Sequence, residues 1–150
     1  MSIADPIHEL VHDHADLNRR VFELGSVVAQ LRPDRDASLL GLLSDLREHL
    51  FFHFAREEEG LFPFVAEQLP DLADQVAAMA VAHDTICGAV ARMVHQATVD
   101  PTPRVLRALF ERFELAYATH AGNEAELLER LDTGLDPAQR AQLAELVRGL

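Results

Sequence analysis

Apolar residues recur at every third or fourth position in four long runs of this chain, and proline-bearing turns separate the runs. That period lines one face of an α-helix, and no alternating pattern offers a strand in its place. The first run places Ile7, Leu10, Val11, His14, Leu17, Val21, Leu24 and Val28 behind an Asp5-Pro6 start and extends to about Leu31. A turn over Pro33 to Asp36 leads into Leu39, Leu43, Leu46, Leu50, His53, Glu57 and Leu61, a stripe that ends near Glu67 with a kink expected at Pro63. Pro70-Asp71 opens the third run, through Leu72, Val76, Met79, His83, Ile86, Val90 and Val94 to about Ala97. Thr102-Pro103 opens the fourth, through Val105, Leu106, Leu109, Phe113, Tyr117, His120, Glu124, Leu127 and Leu131. Asp136-Pro137 with Gln139 then caps a short fifth helix, whose Leu143, Leu146, Val147 and Leu150 either cover the bundle end or form a small dimer contact. Helices of about 25 residues joined by short loops run antiparallel to their sequence neighbours. The expected fold is all-α: an up-down-up-down four-helix bundle over residues 5–132 with a short helix over 136–149, in one domain spanning 1–150.

Every stripe contains a histidine, and two of them contain a glutamate four residues later: His53-Phe-Ala-Arg-Glu57 and His120-Ala-Gly-Asn-Glu124. Residues four apart project from one helical face, so each pair offers an imidazole and a carboxylate to a single interior point. An uncompensated buried carboxylate costs several kcal/mol, so these glutamates require a cation or a proton. The chain has no lysine, and the stripes hold no arginine.

Counting from the turns puts these groups at one height. His14 stands about 20 residues before the first turn and His53 about 19 after it. His83 lies about 17 before the turn near residue 100 and His120 about 20 after, a mismatch of about 5 Å at 1.5 Å per residue. Around residue 69, His53 and Glu57 lie roughly 16 and 12 before and His83 about 14 after. The layer also repeats: His14 and His83 are 69 residues apart, and His53 to His120 and Glu57 to Glu124 each span 67. Two copies of one hairpin make two adjacent metal sites with shared carboxylates. Four imidazoles and two carboxylates leave coordination positions open, which suits iron or manganese handling oxygen species better than a closed structural zinc site. A metal-free polar network is the alternative, tolerated only if every member is satisfied.

Composition narrows the remaining choices. Cys87 is the only cysteine, so no internal disulfide and no thiolate zinc cluster can form. All 13 basic residues are arginine, so a Walker-type phosphate loop, a Schiff base or a lysine general base cannot be built. The net charge of -12 lacks the clustered positive charge that binds phosphate backbones, so nucleic acid is not an expected partner. No signal-peptide pattern and no uninterrupted membrane-length apolar run is present, and a cytoplasmic protein without a membrane partner is expected.

The residues quoted above resemble the hemerythrin-like family of helical di-iron domains over residues 5 to 131: Asp13-His14, the segment HFAREEEGLFPF from His53, Ala82-His83-Asp84, and His120 with Glu124. The resemblance implies that His14, His53, His83 and His120 ligate two non-haem iron ions and that Glu57 and Glu124 bridge them, beside an oxo or hydroxo bridge. Oxygen-carrying members have a second histidine four residues after the position of His83, and an aspartate five after that of His120. Cys87 and Glu124 stand here instead. That departure favours redox chemistry with, or sensing of, dioxygen, peroxide or nitric oxide, including a peroxidase or oxidase type of activity. A non-enzymatic iron sensor, an iron carrier or an iron-centre repair protein is the alternative. The expected partner is a small diatomic or peroxide ligand, and the expected state a monomer or weak homodimer.

Other candidates carry less. His8-Glu9-Leu10-Val11-His12 matches a zinc-protease pattern, but His12 lies about 160° around the helix from His14 and no third ligand is evident. Glu9-x-x-His12 is the only such pair, whereas ferritin-like di-iron bundles need two. Tyr117, one turn before His120, is a candidate hydrogen-bond donor or redox group beside the ligands, or simply a core aromatic. His49 is expected to share a layer with Asn18 and Cys87 and could support the ligands. Cys87 reads as a small buried hydrophobe or, less directly, a thiolate ligand. Glu58 reads as solvated, and His95 has no evident partner.

Overall fold

A computed structural model describes residues 5–31 and 38–148 of the chain, and its long elements are all helices. They are α1 (Pro6–Ala29), α2 (Ser38–Arg56), α3 (Phe62–Gln68), α4 (Ala73–Val99), α5 (Pro103–Gly134) and α6 (Pro137–Arg148). A π-helical turn, Glu57–Leu61, joins α2 to α3, and a 3-10 turn, Pro70–Leu72, leads into α4. The turn expected over residues 33–36 lies outside the described residues, as does Leu150.

The helix starts follow the sequence. Asp5 accepts a hydrogen bond from the Ile7 backbone N–H at 2.9 Å, and Pro6 occupies the first helical position, where a missing N–H costs nothing. At α6 the Gln139 N–H donates to Asp136 Oδ1 at 2.8 Å while the Asp136 N–H donates to Gln139 Oε1 at 3.0 Å, a reciprocal cap. Arg140 ties this end together through Asp5 Oδ2 at 3.0 Å and Asp132 Oδ1 at 2.9 Å.

Buried positions alternate by three and four: 7, 10, 14, 17, 21, 24 and 28 on α1, and 76, 79, 83, 86, 90, 93 and 97 on α4. This is the seam spacing of packed bundle helices, and it decides four positions against expectation. Val11 and Cys87 fall beside the seam and are exposed, and Met93 and Phe110 replace the half-buried Val94 and Leu109 in it. Cys87 is therefore not a buried hydrophobe.

The four long helices close a ring, α1 against α2 and α5, and α4 against α2 and α5. Their apolar residues form two clusters. One joins Leu17 to Leu31, Leu39 to Phe54, Ile86 to Ala97 and Leu106 to Tyr117. The other joins Ile7 and Leu10 with Leu61 to Val65, Val76, Met79, Leu127 to Leu131, and Leu143 and Val147 of α6. The short helix thus covers the bundle end with Leu143 and Val147, while Leu146 stays 41% exposed. By length and composition alone Pro70–Val99 is apolar enough to cross a membrane, yet its seam residues from Val76 to Ala97 are spent on α2 and α5. Phe113 is fully buried in the first cluster, so Phe113→Ala is expected to cost about 3–5 kcal/mol, read as a lower urea midpoint at unchanged slope.

Candidate metal centre

Where the two clusters meet, the seam positions are taken by His14, His53, Glu57, His83, His120 and Glu124, none more than 8% exposed. α1 supplies His14, α2 supplies His53, α4 supplies His83, α5 supplies His120 and Glu124, and the π turn supplies Glu57. All four imidazoles turn Nε2 inward. His53 Nε2 lies 2.9 Å from Glu124 Oε1 and 3.6 Å from Glu57 Oε2. His83 Nε2 lies 2.9 Å from Glu57 Oε1 and 3.2 Å from His120 Nε2. His14 Nε2 is 3.4 Å from Glu124 Oε2, and His120 Nε2 is 3.8 Å from Glu124 Oε2 and 3.9 Å from Glu57 Oε1. The six residues expected from the sequence therefore converge on one point of the interior.

The donor atoms remain short of partners. His14 Nε2, both oxygens of Glu57 and Oε2 of Glu124 are buried without a hydrogen bond. Such groups are rare because each costs its full desolvation penalty, about 1–3 kcal/mol or more when charged. Two overlapping sets, His53 with Glu57 and Glu124, and Glu57 with His83 and His120, have donor atoms close enough to hold a metal ion. Both sets use Glu57, so a carboxylate lies between two positions. A further set, Asp5, His8 and Asp132, sits at the surface, but Arg140 already pairs with both carboxylates. His12 is exposed, and the HExxH pattern builds nothing further.

Electrostatics agree with a cation site. Burial, and then the facing Glu124, raise Glu57 well above the usual carboxylate range. Burial pushes Glu124 upward too, but the facing Glu57 carboxyl and the adjacent His53 leave it below that range, so the two facing acids differ in acidity. Burial, with the His120 ring beside it, lowers His83 to about 3, and burial also lowers His14 and His120. These three rings are neutral at physiological pH, with lone pairs available to a metal.

Two features were not legible beforehand. His83 lies between two aromatic rings, stacked on Phe54 at a centroid distance of 3.7 Å and on Phe62 at 5.4 Å. Phe54 also meets His120 edge-on at 5.5 Å, so this side of the layer is walled by hydrocarbon. The second feature is the π turn. Pro63 has no N–H, and its ring presses on the carbonyl four residues back, which opens the helix before it. The kink expected at Pro63 is therefore a widened turn centred one residue after Glu58, where the Phe62 N–H donates to the Glu57 carbonyl five residues back. In a regular helix Phe62 would lie about 140° around from Glu57; the wider turn brings both inward. Gly60 followed by Pro63 inside a helical run was the available signal.

The supporting candidates diverge. Tyr117 is buried, and its hydroxyl donates to Asn18 Oδ1 at 2.7 Å, not to any of the six residues. Burial, then Glu124 and Glu57, raise its phenol further above its ordinary range. Tyr117→Phe is accordingly expected to cost about 1 kcal/mol in thermal unfolding and to leave metal content unchanged. His49 is half-buried, bonds the Asp45 carbonyl through Nδ1 at 2.8 Å and lines a groove beside His53 between α1 and α2. Cys87 lines a separate groove with Arg47 and Phe51, and burial, then Glu58 and Asp84, hold its thiol above the usual range. His49 and Cys87 thus line different grooves, and Asn18 is engaged by Tyr117. Glu58 is exposed and comes within 3.8 Å of the outer nitrogen of His83.

The family model described as the hemerythrin HHE cation binding domain matches residues 5–148. No curated protein matches the chain.

Proposed function

The chain belongs to the hemerythrin HHE cation-binding family, and from that membership we propose that its interior layer holds two iron ions and performs redox chemistry with, or senses, a small oxidant such as dioxygen, peroxide or nitric oxide. His14, His53 and Glu124 would hold one ion and His83, His120 and Glu57 the other. The observation that carries this reading is the set of buried donor atoms left without hydrogen-bond partners around two overlapping clusters. The donor set is imidazole and carboxylate, which suits iron and leaves positions open. Iron so held supplies Lewis acidity and exchangeable electrons to a bound oxidant.

The chain's own groups support that chemistry. Phe54 and Phe62 exclude water from the His83 side, and a dry site strengthens every charge interaction within it. Burial and the facing Glu124 disfavour the charged form of Glu57, a cost that a bound cation offsets. We further read the ring of helices as an up-down-up-down bundle in one domain, because each apolar cluster draws alternately on the late and early parts of successive long helices.

Protein produced with iron is expected to carry two iron ions per chain by elemental analysis and to show near-ultraviolet charge-transfer absorption. A single zinc, or no metal, overturns the reading. The same buried, mutually repelling groups favour one other role, an iron sensor or carrier whose fold depends on its metal. Turnover of peroxide by the iron-loaded protein selects the redox role, and a large melting shift without turnover selects the sensor.

A further inference from the structure

The internal repeat predicts that the two hairpins carry equivalent surfaces, and two grooves reach the layer in equivalent places. One, of about 470 Å³, lies between α1 and α2 beside His53. The other, of about 360 Å³, lies between α4 and α5 beside His120. Advancing α1 residues by 69 and α2 residues by 67 carries six of the ten residues that line the first groove onto residues that line the second. Asp13 becomes Ala82, Asp16 becomes Thr85, His49 becomes Ala116, Phe52 becomes Thr119, His53 becomes His120 and Arg56 becomes Asn123.

The positions correspond, but the chemistry has diverged. Across the first groove Arg56 Nη1 meets Asp13 Oδ2 at 2.7 Å, joining α2 to α1, and Asp16 is engaged by Arg19 and Arg20. The equivalents Ala82 and Asn123 cannot form an ion pair. The second groove is lined mostly by neutral side chains, the exposed Leu115 among them, and its one charged residue, Arg112, bridges no carboxylate among the described residues. A small ligand entering the first groove displaces a hydrated ion pair; one entering the second displaces none.

We propose that the groove between α4 and α5 is the doorway through which a small uncharged ligand reaches the centre, and that its twin between α1 and α2 is latched by Asp13 and Arg56. This rests on the reading of the layer as an iron centre and adds its route of access. Thr119 is exposed in the doorway, so a bulkier residue there narrows the passage without entering the core. Ala55 occupies the other groove and serves as the comparison.

The test is anaerobic stopped-flow mixing of the iron(II)-loaded protein with nitric oxide, followed by absorbance. Thr119→Phe, at unchanged iron content and melting temperature, is expected to slow association roughly fivefold or more. Ala55→Phe is expected to leave the rate unchanged, and Arg56→Asn to raise it by opening the latch. An unaltered rate in T119F, or slowing confined to Ala55→Phe, overturns the doorway assignment. Wild-type protein that binds no iron and gives no spectral change overturns the underlying metal reading, a distinguishable result.

Discussion

Glu57→Gln is expected to abolish stable occupancy of the metal centre while leaving the metal-free fold intact. Glu57 belongs to both donor sets, so its loss removes a donor from each. Glutamine keeps the shape but has no anionic oxygen with which to neutralise a cation, and second-row changes alone cost about 10–100-fold in metal affinity. Losing the shared carboxylate itself is expected to exceed that range. The metal-free protein responds differently, because burial and Glu124 already disfavour the charged form of Glu57. A neutral amide avoids that cost, and one of two facing acids disappears. The metal-free variant should therefore melt no lower than metal-free wild type. Elemental analysis beside calorimetry checks both halves: a variant that retains two ions, or one that no longer folds without metal, contradicts the account.

Removing metal from the wild-type protein is the second large effect. A ligand that binds only the folded state stabilises it by about 4 kcal/mol when present at about a thousand times its dissociation constant. For a domain of this size each kcal/mol moves the melting temperature by roughly 2–4 °C, so a chelator is expected to lower it on the order of 10 °C. The cause is the set of unpartnered donors at the seam: without a cation they place two acidic side chains and the imidazoles within 4 Å of one another. Adding iron back should restore the transition, and a melting curve indifferent to chelator counts against a resident metal. In Glu57→Gln the same chelator should produce almost no shift, which separates lost binding from general destabilisation.

Much of this could be read from the chain because helical period and ionisable residues do not usually coexist on one face. The spacing of Ile7 to Val28 and of Val76 to Val90 gave the helices their inner faces, whereas Met93 takes the place expected of Val94. Six imidazole and carboxyl side chains on those faces, at similar distances from the turns, marked the layer from the sequence. The errors share a cause. Val11, Cys87 and Leu109 lie one position from a seam residue, and a stripe read by eye is wider than the three-four alternation that packing against two neighbours permits. His49 was assigned by height alone, although height along a helix says nothing about which neighbour a residue faces.

The sequence by itself determined the helices, their caps at Asp5 and Asp136, the level of the six ligating residues and the repeat that relates the two halves, because each depends on separations along one chain. Tertiary structure alone decided the rest. Phe54 and Phe62 enclose His83 because the turn after Glu57 widens, and Asp13 meets Arg56 because α1 and α2 lie side by side. Ala82 and Asn123 leave the corresponding place without a bridge. Such contacts depend on which face of each helix turns toward which neighbour, and that is settled only when all four pack together.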